Sequence, residues 1–169
     1  KQYRASETDD IEAMNNLIEW LPKNIPDDDE TSIVHGDYRL DNMILKDNQV
    51  MGILDWELST LGHPIADFSY HCLSWRTQEA FWDQSKLKEL GIPNEREYMD
   101  MYCENTGKDL SKNWEFYMAF NMFKIAGILQ GILGRVRDGT ASSKHAEDRG
   151  MMVYPLSEAA WNTIKENLL

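Results

Sequence analysis

The run Ile33-Val34-His35-Gly36-Asp37-Tyr38-Arg39-Leu40-Asp41-Asn42 is followed, one short hairpin later, by Gly52-Ile53-Leu54-Asp55-Trp56-Glu57. Asp37, Asn42 and Asp55 have the types and order that phosphoryl transfer from a nucleotide uses: a carboxylate to receive the acceptor's proton, then an amide and a carboxylate to hold Mg²⁺. Between them, Met43-Ile44-Leu45 and Val50-Met51-Gly52-Ile53-Leu54 flank Lys46-Asp47-Asn48-Gln49, and two apolar runs around turn-forming Asp and Asn predict a β-hairpin. Its first strand begins just after Asn42 and its second ends just before Asp55. Antiparallel pairing therefore brings these two side chains together, where a single cation could touch both. The competing reading makes all three residues ordinary turn formers.

Upstream, Ser32 to Val34 is β-prone and feeds the loop at His35. Residues 1 to 31 read as a helix and an acidic loop: Ser6 with Asp9 forms a capping box, Ile11, Met14, Leu17, Ile18 and Leu21 recur at helical spacing, and Pro22 and Pro26 stop the helix. Asp27-Asp28-Asp29-Glu30 lacks the glycine and far-end Glu of a calcium loop and reads as solvated. Downstream, Leu61-Gly62-His63-Pro64 opens a helix running to about Trp75. Asp67 in its first turn is either an acid favoured by the helix dipole or an anchor for backbone N–H groups of the loop. His63, between Gly and Pro, reads as a surface residue rather than a base.

The second half is helical. Asn94-Glu95-Arg96-Glu97 predicts a capping box, Ser111 a cap for a long pillar helix reaching about Arg137, and Pro155 the first residue of a last helix. Gly127, Gly131 and Gly134 cost helix propensity, which suggests close approach by another helix. A chain of 169 residues, 42% hydrophobic and 27% charged, is large enough for one core, so a single domain over 1–169 is expected, α+β and mainly α-helical. The net charge of −12 disfavours nucleic acid as a partner. Phe116 to Val136 is interrupted by Asn121, Lys124, Gln130 and Arg135 and does not read as a membrane span. Cys72 and Cys103 lack metal-type spacing and read as buried, reduced thiols, consistent with a cytoplasmic protein.

His35 to Asn42, Ile53 to Glu57 and Gly62-His63-Pro64-Ile65-Ala66-Asp67 together resemble the aminoglycoside phosphotransferase and choline kinase group, relatives of the protein kinases. The first block corresponds to the kinase catalytic-loop signature, with Gly36 where protein kinases carry Arg. Lys1-Gln2-Tyr3, the same loop and Leu54-Asp55-Trp56-Glu57-Leu58-Ser59-Thr60 look like the phosphotransferase domains associated with acyl-CoA dehydrogenases.

The resemblance implies the C-terminal lobe of a kinase-like fold, with the hairpin carrying the catalytic and metal-binding loops. It implies that Asp37 accepts the proton of an acceptor hydroxyl and that Asn42 and Asp55 hold Mg²⁺ against ATP, with Glu57 assisting through metal-bound water. His35 would orient the loop, Asp67 would brace it, and Arg39 or Asp41 would tune the acceptor side. Tyr38, Trp56 and Trp75 read as packing residues. No G-x-G-x-x-G or Walker sequence is present, so an N-terminal lobe, the natural partner of this one, is expected to be missing, as in a truncated piece or a proteolytic product. Such a piece is expected to be inactive alone and to form homodimers. The implied acceptor is a small-molecule hydroxyl, a hydroxyacyl-CoA ahead of an aminoglycoside or choline. The rival classes are a non-catalytic kinase-like binding module and a pure interaction domain.

Overall fold

The computed structural model describes every residue except Lys1, Ser6, Asp29 and 78–83. The chain groups into two compact units, one of Lys1–Pro26 with Met118–Leu169, the other of Asp27–Tyr117.

The first unit is helical. It contains α1 (Gln2–Ala5), α2 (Glu12–Trp20), most of α6 (Trp114–Arg137), α7 (Ala146–Met151) and α8 (Val153–Asn167). α2 packs along α8 and buries Met14 and Leu17, while α8 contributes Val153, Ala160 and Ile164. The capping box expected at Ser6 falls on a residue outside those described. α2 instead starts one residue after Ile11, which supplies no side-chain cap. Asp9, the other half of that box, accepts from Arg137 at 2.5 Å and from the Tyr154 hydroxyl. These hydrogen bonds, Arg137 first, hold its carboxyl below the usual range.

Other helix starts also move. Ser111 does not cap α6: its N–H donates to Asp109 in a turn, and the helix begins at Trp114. Pro155 is the third residue of α8, whose helical conformation starts at Val153. The close approach expected at the glycines of α6 is not made at Gly127 or Gly131. Gly127 faces open space and Gly131 meets only Arg135 of its own helix, whereas a Cβ on Gly150 of α7 would stand 3.0 Å from the Leu133 backbone. α6 is long and apolar enough to cross a bilayer by length and composition alone, a test that a core helix also passes, and half of its most apolar window is buried in the fold.

The second unit carries two antiparallel ribbons. β1 (Ser32–Val34) pairs with β4 (Thr60–Gly62), and β2 (Met43–Lys46) pairs with β3 (Gln49–Ile53). The β2–β3 turn places Asp47 and Asn48 at φ +50° and +59°, the left-handed pair that a two-residue hairpin turn requires and that Asp and Asn tolerate. An irregularity between Ile44 and Leu45 shifts the register there. Beside the ribbons lie α3 (Pro64–Arg76), α4 (Gln84–Glu89) and α5 (Glu95–Thr106). α5 starts on the expected capping box, with Asn94 and Glu97 exchanging both hydrogen bonds.

Phe68 of α3 stacks on Tyr102 at 3.9 Å between ring centres and touches Trp114, which closes α3 onto α5. Arg76 is shared by Glu95 and Glu115. Cys72 is buried and its thiol is pushed up by that burial, while Cys103 is only half-buried; both are free. The acidic loop is exposed at Asp27, Asp28 and Glu30, as its sequence suggests, and two of these acids also find partners. Asp28 lies 3.2 Å from His63 Nε2, and Glu30 pairs with Lys108.

Candidate active site

Helix α3 holds the loop after β1 by one face. Asp67 accepts from the backbone N–H of His35 and, at 2.8 Å, from that of Gly36. Both sequence readings of this residue are physically compatible, since the acid sits in the first turn of α3 and receives the loop's N–H groups as well. Tyr70, one turn on, donates its hydroxyl to Asp37 Oδ1 at 2.7 Å. His71 lies next along the same face, its ring 5.6 Å from that of Tyr38. Positions i, i+3 and i+4 share one side of a helix, so three side chains of α3 meet consecutive parts of the loop.

The loop needs its glycine. Gly36 has φ +83°, and an added Cβ would stand 2.6 Å from the carbonyl oxygen of Leu58. His35 then turns its ring inward and is buried. Its Nε2 is 2.7 Å from the Leu54 carbonyl, which can only accept, so Nε2 carries the proton. Nδ1 is left to accept the Asp37 N–H at 3.2 Å. With both nitrogens committed to backbone, His35 ties the loop to the end of β3 and is not placed to act as a base. Trp56 packs on this ring at 4.8 Å.

Asp37 and Asn42 are joined directly. Asn42 Nδ2 donates to the Asp37 carbonyl at 2.9 Å and to Asp37 Oδ2 at 3.0 Å, which leaves the Asn42 Oδ1 lone pairs uncommitted among the described residues. Arg39 Nε lies 3.4 Å from Asp37 Oδ2 and its Nη1 lies 3.6 Å from Asp41 Oδ2, on a side chain 53% exposed. Such an ion pair contributes little to stability. The hairpin then brings Asp55 to the same end as Asn42, because the Leu54 N–H donates to the Asn42 carbonyl at 2.8 Å.

Asp55 adopts φ +66°, left-handed backbone for a residue with a Cβ, and its carboxylate makes no capping bond to the 3₁₀ turn Trp56–Leu58. Strain of this kind collects at functional positions. Glu57 follows on that turn and is exposed. Among the described residues no group of three or more His, Cys, Asp or Glu side chains could hold a metal ion. An amide oxygen and one carboxylate nevertheless match Mg²⁺, which takes one or two protein oxygens and completes its shell with water and phosphate.

Two residues differ from expectation. His63, read as a surface residue, has a side chain only 7% exposed. It caps α3 by accepting the Ile65 N–H and stacks on Tyr117. Tyr70 was not singled out at all. Its spacing from Asp67 was the available signal, but an aromatic on a helix more often marks core.

The sequence and fold have known counterparts. A model described as the phosphotransferase enzyme family matches residues 1–102. Acyl-CoA dehydrogenase family member 10 of Mus musculus is 46% identical over 169 residues, covering 96% of this chain and 16% of that protein. Acyl-CoA dehydrogenase family member 11 of Homo sapiens is 41% identical over 165 residues, covering 94% of this chain and 21% of that one. A crystal structure from Ralstonia eutropha JMP134, provisionally assigned as an aminoglycoside phosphotransferase, superposes with a TM-score of 0.86 at 49% identity. That superposition covers 98% of this chain and 52% of the other. The chain thus spans about a fifth of its curated relatives and about half of the solved one.

Proposed function

Because the chain belongs to the phosphotransferase enzyme family and has its kinase-like fold, we propose that it carries the base and the metal-holding residues of an ATP-dependent small-molecule kinase. Asp37 takes the proton of an acceptor hydroxyl as the acceptor oxygen bonds to the γ-phosphorus and the bond from that phosphorus to ADP breaks. Asn42 Oδ1 and the Asp55 carboxylate hold Mg²⁺, with Glu57 as an outer oxygen donor. Mg²⁺ in that position supplies charge neutralisation on the phosphates. His35 and Asp67 fix the loop, and Arg39 and Asp41 face the acceptor. A phosphate-covering loop and its Lys come from polypeptide beyond these 169 residues, in keeping with the 52% share of the solved relative that the chain covers.

The observation that carries this reading is the double use of Asn42. Its Nδ2 grips Asp37 while its Oδ1 stays available at the hairpin end that Asp55 shares. A set of mere turn residues would not need base and metal ligand tied to each other.

For the acceptor, acyl-CoA dehydrogenase family relatives at 46% and 41% identity favour a hydroxyacyl-CoA, whose hydroxyl becomes a better leaving group once phosphorylated. The assignment of the solved relative favours an aminoglycoside as the second reading. The full-length protein, assayed for ADP formation with hydroxyacyl-CoA, aminoglycoside and choline acceptors, should respond to the thioester. Turnover of an aminoglycoside with none of the thioester would overturn the acceptor assignment.

A further inference from the structure

Among the described residues Asp37 has three side-chain partners, and they are not alike. Arg39 is an exposed, long side chain at 3.4 Å, too loosely held to set an orientation. Asn42, at 3.0 Å, sits on the short 3₁₀ turn Leu40–Asn42 and shares its amide between Asp37 and the metal position. Tyr70 alone comes from a regular helix. It projects from the middle of α3, one turn beyond the Asp67 carboxylate that already holds the loop's backbone. Its phenol has only two aromatic torsions to fix and makes the shortest of the three contacts, at 2.7 Å.

We propose that Tyr70 is the positioning residue of the catalytic base, its hydroxyl donating to Oδ1 of Asp37 and so fixing the direction in which the carboxylate faces the acceptor. This rests on the reading of Asp37 as the base. The phenol is suited to the task because it remains a donor. Burial, and then its bond to the Asp37 carboxylate, push its ionisation well above the ordinary tyrosine value, so it keeps its proton at any working pH. Occupying Oδ1 from the helix side directs the remaining lone pairs of the carboxylate away from α3. The same contact couples the base to α3, so that backbone and side chain of the loop are set by one rigid element through Asp67 and Tyr70. Tyr70 does not touch the reacting atoms in this scheme.

The test uses the full-length protein with MgATP as probe and water as acceptor, comparing wild type, Tyr70→Phe and Asp37→Asn by ADP release. Tyr70→Phe keeps the ring and loses one hydrogen bond to a charged group. It should lower kcat roughly tenfold while leaving the KM for MgATP unchanged. Asp37→Asn should lower kcat further. In this 169-residue chain, the NMR signal of the Tyr70 hydroxyl proton should shift in Asp37→Asn and vanish in Tyr70→Phe. A Tyr70→Phe enzyme with wild-type kcat beside an impaired Asp37→Asn enzyme overturns the role of Tyr70 and spares that of Asp37. Wild-type kcat in Asp37→Asn overturns both. A Tyr70→Phe loss that appears in KM and in the urea midpoint rather than in kcat marks a merely structural residue, and contradicts the proposal.

Discussion

Gly36 concentrates the logic of the site in one residue. Its positive φ and the 2.6 Å approach of a hypothetical Cβ to Leu58 mean that any side chain there must displace the loop from Asp67. Gly36→Ala should destabilise the protein by at least about 1–2 kcal/mol from the left-handed conformation alone. A lowered urea midpoint with unchanged slope would show this, and a wild-type midpoint would contradict it. The identity of the residue was visible in the sequence, but the reason for it was not, since Leu58 approaches from the far side of the hairpin. The same limit explains His63. Its Gly and Pro neighbours suggest an exposed turn, and only the fold brings Tyr117 over its ring. Asp37, Asn42 and Asp55 could be proposed from the sequence because their types and order match phosphoryl-transfer chemistry, whereas Tyr70 has no such signal by itself and is proposed for a role only through its contact with Asp37.

Among the elements, α3 does most to shape the site, and His71 gives it a pH dependence. Burial lowers the tendency of His71 to protonate, against a smaller opposing effect of its hydrogen bond to the Tyr38 backbone. The folded state therefore binds fewer protons than the unfolded state, in which His titrates near about 6.5. Stability is complete above that value and falls as pH drops through the lower folded value. Urea midpoints measured from pH 7.5 to 5 should decline for wild type and decline less for His71→Phe, which keeps a ring against Tyr38, Trp75 and Tyr98. Equal slopes for the two proteins would contradict the assignment. The elements themselves were largely readable. Turn chemistry at Asp47-Asn48 and the Asn94 capping box are local signals that nothing distant overrides. The starts of α2 and α8 were less so, because Ile11 and Met152 precede these helices without a side-chain cap, and α6 starts at Trp114, beyond the turn in which Asp109 accepts the Ser111 N–H.

Across the molecule, the ribbons of the second unit leave apolar side chains in solvent. Ile33 and Leu61 face each other across β1–β4, and each is 72% exposed. On β2–β3, Leu45, Val50 and Met51 are exposed as well. Contiguous apolar surface favours association, while a charge of −12 opposes it at low salt. The 169-residue chain should thus self-associate with rising concentration, more so at higher ionic strength, and Ile33→Lys should weaken this. Light scattering that reports a strict monomer throughout would contradict it. This surface could not be foreseen residue by residue, because apolar strands normally signal a covered sheet, and the grouping of the chain into two units has no local signature at all. The division of labour between Asp37 and the Asn42–Asp55 pair is tested most directly by steady-state ATP turnover of the full-length protein carrying Asp37→Asn. A fall in kcat of roughly 10² or more with the KM for MgATP nearly intact is expected of a lost base that leaves the metal ligands in place. A small loss, or one confined to KM, would contradict it.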